Sequence, residues 1–184
     1  MENNPEKATL AGGCFWCTEA IFKRLKGVRS VLPGYSGGDT ENPTYETIHY
    51  NATGHAESIQ IEFDPKEIPY AKILDVFWHT HNPTTPNQGY DVGPEYRSMI
   101  FYHTDHQKSI ALKSKEDLEK ERYYKGPILT EIVPFKSFYP AETEYLSYYE
   151  KNRTSPYCML VIDPKLQKLF EKYNRDIKEE YKLI

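Results

Sequence analysis

The apolar residues of this chain change period along its length, and that change constrains the fold more than any other feature. Glu57–Phe63 alternates apolar with polar residues, the period of a strand with one buried face. Tyr70–His79 instead places Ile73, Leu74, Val76 and Phe77 on one helical stripe. Along Lys165–Tyr181, Leu166, Leu169, Phe170, Tyr173 and Ile177 recur at spacings of three and four, which predicts an amphipathic helix. Further strands are expected at Lys7–Ala11, Val28–Tyr35, Ser98–Tyr102 and Leu129–Phe135, and helices over Phe15–Leu25, Gln107–Tyr123 and Glu142–Asn152. The two element types follow one another irregularly, without the strand–helix–strand rhythm of a parallel α/β sheet. The expected class is α+β, a two-layer sandwich with helices packed on a mixed or antiparallel sheet.

A chain of 184 residues fits a single domain, taken here as residues 1–184. Only 39% of it is apolar, but its 16 Tyr and 8 Phe supply rings for a core, and this aromatic content excludes a disordered chain. A formal net charge of −4 argues against a dedicated nucleic-acid binder. No apolar run approaches the ~20 residues of a membrane span. Residues 1–8, MENNPEKA, lack the apolar core of a secretory signal. Three cysteines make a poor disulfide framework, so a reducing, cytoplasmic setting is expected, where paired cysteines serve metal or redox chemistry.

The segment Gly12-Gly13-Cys14-Phe15-Trp16-Cys17 is the most informative. A strand runs into two glycines that permit a tight turn and a close approach, and Cys14 then begins a helix. Unpaired N–H groups at a helix start favour a thiolate, so the Cys14 pKa is expected to be lowered. Phe15 and Trp16 offer an apolar wall for a small uncharged group. Cys14 and Cys17 form a Cys-x-x-Cys pair, which by itself fits either redox work or half of a zinc site. Glu57 shares the parity of Ile59, Ile61 and Phe63, which turns a carboxylate toward the core. Desolvation would raise its pKa and suit it to general-acid work; the alternative is a solvated loop residue. Tyr45 and Tyr96 fall in loop contexts where a phenol can donate a hydrogen bond without ionising, whereas Tyr50, Tyr102, Tyr123 and Tyr148 read as half-buried packing.

With these residues in view, the chain resembles the A-type peptide methionine sulfoxide reductases. The resemblance begins at GCFWC and continues through Gly34-Tyr35-Ser36-Gly37-Gly38, Asn42-Pro43-Thr44-Tyr45, Gly54-His55-Ala56-Glu57, the Asp91–Ser98 segment and Phe138-Tyr139-Pro140-Ala141-Glu142. It implies an α+β sandwich around a mixed sheet, with a ferredoxin-like core expected. It also implies Cys14 as nucleophile, Glu57 as acid, Tyr45 and Tyr96 as holders of the sulfoxide oxygen, and Asp91 as supporting acid. Phe15 and Trp16 would receive the methionine methyl group, with Gly13 and His55 also at the substrate. A Cys14 sulfenic acid would condense with a second thiol, Cys17 or Cys158, or pass from one to the other, and thioredoxin would reopen the disulfide. Residues 153–184 are expected to move around Cys158. A monomer acting on the S epimer, without metal or organic cofactor, is the implied enzyme. The chain departs from the family at Tyr90, often Asn, and at Glu95, often Gln.

Other readings remain. A general Cys-x-x-Cys disulfide oxidoreductase would need neither Glu57 nor the aromatic wall. A zinc module could draw on Cys14, Cys17, His79 and His81, but His79-Thr80-His81 lacks the usual histidine spacing. Those histidines suit a helix end, where the dipole favours His⁺. The mixed charges of Lys113–Arg122 read as a solvated helix face, and the loops Pro33–Pro43 and Asn82–Pro94 are the long connections to search for a site.

Overall fold

A computed structural model describes residues 4–50 and 52–182; the first three residues of the N-terminal stretch lie outside it. Six strands form one sheet in the order β5-β4-β1-β3-β2-β6. They are β1 (Glu6–Gly12), β2 (Val28–Ser36), β3 (Ala56–Phe63), β4 (Ser98–Tyr102), β5 (Glu131–Pro134) and β6 (Phe138–Pro140). All neighbours are antiparallel except β4 and β5, so the sheet is mixed, as expected. Helix α1 (Phe15–Lys23) links β1 to β2, and α3 (Tyr70–Thr80) links β3 to β4. Ile21 and Phe22 of α1 and Ile73, Leu74 and Phe77 of α3 are buried with Leu10, Ile59, Ile61, Phe63 and Ile100 of the sheet. Helix α4 (Asp105–Glu121) begins at Thr104, whose hydroxyl accepts the Gln107 N–H at 3.1 Å, and ends at Arg122 in the left-handed region.

The register places the site. Strand β1 pairs with β3 through Leu10↔Ile59, and continuing that register sets Gly12 opposite Glu57. At that point β1 stops, because Gly13 (φ +89°) turns the chain into α1. A carboxylate on the buried face of β3 therefore stands beside a helix start.

Three expected elements differ. The helix predicted over Lys165–Tyr181 ends at Tyr173 (α6, Asp163–Tyr173). Beyond it the backbone bonds to another segment: Lys26 N–H donates to the Asp176 carbonyl at 2.8 Å and Lys178 N–H to that of Arg24 at 2.9 Å. Ile177 kept helical spacing yet is buried through a bridge to Leu25. The helix predicted over Glu142–Asn152 is broken by Ser147 (φ +54°) into a 3₁₀ turn, Thr143–Tyr145, and α5, Tyr148–Lys151. The buried Glu19 carboxylate accepts the Ser147 N–H there, with both oxygens at 3.0 Å. The strand predicted over Leu129–Phe135 is shortened to β5. Two short elements were not anticipated, α2 (Tyr45–Tyr50) and β6. No helix among the described residues is long and apolar enough to cross a membrane.

Candidate active site

Cys14 caps α1, and its carbonyl accepts the N–H groups of Cys17 and Thr18 at 3.1 and 3.3 Å. Behind it, a Cβ on Gly13 would come within 2.7 Å of Gln88 Cγ, so only glycine fits under that side chain. Gln88 is itself clamped to Asn82, accepting its N–H at 2.9 Å and donating to its carbonyl at 2.7 Å. The next backbone N–H, of Phe15, donates to Glu57 Oε2 at 2.8 Å. Glu57 is 1% exposed. Burial raises its pKa well above the carboxylate range, and the charges of Asp91, Cys17 and Glu95 add to the rise against the Phe15 bond. Burial therefore favours the protonated, neutral form of Glu57.

The expected thiolate at Cys14 is not what the site holds at rest. Burial raises the Cys14 pKa, and the neighbouring Cys17 and Glu57 raise it further. The dipole argument failed because it assumed a solvated helix start, and this one is sealed. Cys17 is brought down to about 7, chiefly by its hydrogen bond with Cys14 and despite its own burial. The two sulfurs thus share one proton, with Cys14 as the thiol.

Aromatic rings enclose the pair. Trp16 stacks on Tyr148 with centroids 3.7 Å apart, meets Tyr157 edge-on at 5.6 Å, and lies parallel to Tyr45 at 6.3 Å. Tyr145 stacks on Tyr45 at 4.5 Å, and Phe15 lies 6.4 Å from Tyr45. Tyr45 is the first residue of α2, where Glu142 Oε1 accepts its N–H at 2.9 Å, while Glu142 Oε2 accepts the Tyr35 hydroxyl at 2.7 Å. Tyr157 donates its hydroxyl to both Asp91 oxygens at 3.0 Å and lies 3.7 Å from Cys17 Sγ. Tyr96 closes the 3₁₀ turn Pro94–Tyr96, with its hydroxyl 3.0 Å from His49 Nε2. Burial raises the pKa of Tyr45, Tyr96 and Asp91 alike, and Glu57 adds to the rise at both phenols. Burial thus favours the protonated forms of Glu57 and of both phenols around a buried sulfur.

The Peptide methionine sulfoxide reductase family profile matches residues 6–178. The chain belongs to that family. Peptide methionine sulfoxide reductase MsrA of Sulfolobus acidocaldarius is 54% identical over 171 residues, spanning 91% of this chain and 95% of that one. Among solved structures, reduced Mxr1 from Saccharomyces cerevisiae superposes with a TM-score of 0.76 at 32% identity, over 84% of this chain and 90% of that one. Mxr1 in complex with Trx2 gives a TM-score of 0.55 at 27% identity, over 80% and 87% of the two chains. As a member of this reductase family, the chain is an oxidoreductase that reduces methionine sulfoxide to methionine.

In this reductase the expected residues Cys14, Phe15, Trp16, Cys17, Tyr45, Glu57, Asp91 and Tyr96 come together. His55 stands apart from them: its Nδ1 accepts the Gly38 N–H at 3.1 Å and its Nε2 donates to the Thr40 carbonyl at 2.8 Å, pinning the loop after β2. Cys158 is fully buried and opens a π-helical turn, Cys158–Ile162. His79 bonds to the Asp75 carbonyl at 2.7 Å. His81 lies between the Phe77 carbonyl at 2.6 Å and Ser98 Oγ at 2.7 Å, and burial pushes its pKa down to about 4. His81 is thus neutral, and burial has overridden the dipole. Tyr148, expected as packing, walls the site, whereas Tyr50 and Tyr123 are 83% and 55% exposed rather than half-buried. Sequence reading missed His49, Tyr145 and Tyr157. His49 follows Tyr45 by four residues and so shares its helix face, and Tyr157 adjoins Cys158; those were the available signals.

Proposed function

We propose that this reductase acts on the S epimer of methionine sulfoxide, with Cys14 as nucleophile and Glu57 as acid. The observation that carries this reading is the protonated, buried Glu57 bonded to the backbone beside Cys14. The methyl group would lie against Phe15 and Trp16. Trp16 Nε1, buried without a partner among the described residues, offers a donor to a polar group of the substrate. Tyr45, Tyr96 and Glu57 would surround the sulfoxide oxygen, with Asp91 orienting Tyr157 toward the sulfurs.

Attack begins when the Cys14 proton passes to Cys17, freeing the Cys14 thiolate. Its sulfur attacks the sulfoxide sulfur, Glu57 protonates the oxygen, and the oxygen ends on Cys14 as a sulfenic acid. The oxygen moves to the Cys14 sulfur with the electron pair of its broken S–O bond, and the S–S bond formed in the attack breaks with its pair left on the substrate sulfur, which departs as methionine. Cys17, already bonded to Cys14, would attack the sulfenic sulfur first, forming a disulfide and releasing water. Cys158 lies near enough for its charge to interact with that of Cys17, and it would receive the disulfide second. That transfer calls on residues 153–184 of a single catalytic domain to move. A thioredoxin-type dithiol would then reduce the outer disulfide, a role supported by the Mxr1 complex with Trx2. The order β4-β1-β3-β2 at the sheet centre, with helices crossing between β1 and β2 and between β3 and β4, supports a ferredoxin-like core.

Reduced protein mixed with separate R and S sulfoxide epimers, without reductant, tests this. The expected result is about one methionine per chain from the S epimer alone, with two thiols lost. Loss of thiols without methionine would mean a general disulfide oxidoreductase instead.

A further inference from the structure

The half-buried imidazole of His49 has no part in the chemistry so far, yet it sits among the oxygens of the site. Its Nδ1 lies 2.6 Å from the Tyr45 carbonyl, which can only accept, so Nδ1 is the donor in that contact. The nitrogen that remains is Nε2. That nitrogen faces Tyr96 Oη at 3.0 Å, Glu57 Oε1 at 3.5 Å and Glu95 Oε1 at 3.9 Å. The titratable groups around the ring are Tyr45 on its own helix, its ring tilted and 4.1 Å away between centroids, Glu57 on β3, and Glu95 and Tyr96 on the 3₁₀ turn.

The two protonation states of His49 give Tyr96 opposite roles. With Nε2 bare, the only proton that can make the 3.0 Å bond belongs to Tyr96, so the hydroxyl points at His49 and away from the pocket. With Nε2 protonated, the ring donates to Tyr96 Oη, and the phenol proton is free to turn toward the sulfoxide oxygen. Burial favours the neutral form of Glu57, which leaves Glu95, with Oε1 3.9 Å from Nε2, as the other carboxylate facing His49.

We propose that His49, with Glu95 as its counter-ion, is a positioning residue that makes Tyr96 a hydrogen-bond donor to the sulfoxide oxygen. This rests on the reading of Glu57 and Tyr96 as the oxygen site. One donor aimed at a developing oxyanion is worth roughly 10²-fold in rate.

The test is single-turnover methionine formation in His49→Ala, His49→Gln, Tyr96→Phe and the double variant His49→Ala/Tyr96→Phe. His49→Ala should slow the reaction by roughly 10²-fold, and Tyr96→Phe by a similar factor. The double variant should be no slower than Tyr96→Phe, because both changes remove one donor. His49→Gln places a permanent N–H near Nε2. Its rate should stay within a few-fold of wild type, a rescue that loss of a merely structural ring would not allow. Multiplicative losses in the double variant, or a His49→Gln variant as slow as His49→Ala, would overturn the proposal. If His49→Ala fails to fold, a His49→Gln variant as slow as Tyr96→Phe overturns it instead. Glu57→Gln run alongside separates the two readings. A fully active Glu57→Gln sinks the acid assignment, whereas a slow Glu57→Gln beside unaffected His49 variants sinks only the role of His49.

Discussion

Reactivity at Cys14 depends on where one proton sits. Burial keeps that proton on Cys14, and the bond between the sulfurs leaves Cys17 as the acidic partner, at about 7. Thiolate absorbance should therefore titrate near pH 7 in the reduced protein. Cys17→Ser should push the titration well upward, because the remaining thiol at position 14 is desolvated and has lost its proton acceptor. The same variant should still make methionine, more slowly, and leave a sulfenic acid that a dimedone-type trap can capture. A Cys17→Ser titration still near pH 7 would place the acidic sulfur at Cys14 and restore the helix-start argument. At this scale the sequence was legible where parity decides. Glu57 fell on the core side because Ile59, Ile61 and Phe63 share its face, and all four are buried. It was silent where tertiary covering decides, because nothing near Cys14 in the chain announces that Gln88, Tyr148 and Tyr157 close over the site.

Between elements, the segment carrying Tyr145, Tyr148 and Tyr157 is tied to α1 by a carboxylate cluster. Glu19 is 3% exposed and accepts the Ser147 N–H. Arg24, 2% exposed, reaches Glu150 at 3.4 Å between the rings of Tyr149 and Tyr181, 5.0 and 4.7 Å away. Burial raises Glu19 to about 7, well above its value in an unfolded chain. The folded state therefore binds its proton more tightly. Its contribution to stability is complete below the unfolded pKa and is lost as pH rises through about 7. Glu19→Gln should remove that component. Unfolding free energies by denaturant should show wild type losing roughly 2–3 kcal/mol relative to the variant between the unfolded and folded pKa values. Parallel curves would mean that Glu19 is ionised at neutral pH, with Lys23 as its partner. None of this was readable in advance: Glu142–Asn152 has helical composition, and the break at Ser147 comes from a carboxylate more than a hundred residues earlier in the chain. Long periodic segments were legible because their burial is a property of their own spacing. Short α2 and β6 were not, since each is held by Glu142 or by β2 rather than by its own pattern.

For the molecule as a whole, the catalytic cycle has to connect a sealed site to an outside reductant. Cys14 and Cys17 are 4% and 1% exposed, so a docked dithiol cannot reach a disulfide between them without rearrangement. Cys158 begins a π-helical turn that includes Met159 and Leu160, which are 57% and 71% exposed, and its N–H is held by Ser155 Oγ at 3.2 Å. A π turn hydrogen-bonds less regularly than an α-helix and is a common place for a chain to yield. Tyr157, next in the chain to Cys158, touches Cys17 and Asp91, so oxidation of the inner sulfurs alters a group that this segment contacts. If Cys158 carries the disulfide outward, Cys158→Ser should give a normal first turnover with the S epimer, because Cys14, Cys17 and Glu57 are untouched. Steady-state turnover with thioredoxin should then fall by at least tenfold, while a small dithiol that can enter the opened site should recycle the variant better than thioredoxin does. Sustained thioredoxin-driven turnover by Cys158→Ser would instead mean that the inner disulfide is itself delivered to the surface. In that case the mobile part would be the start of α1 and the 88–96 loop, not the C-terminal segment.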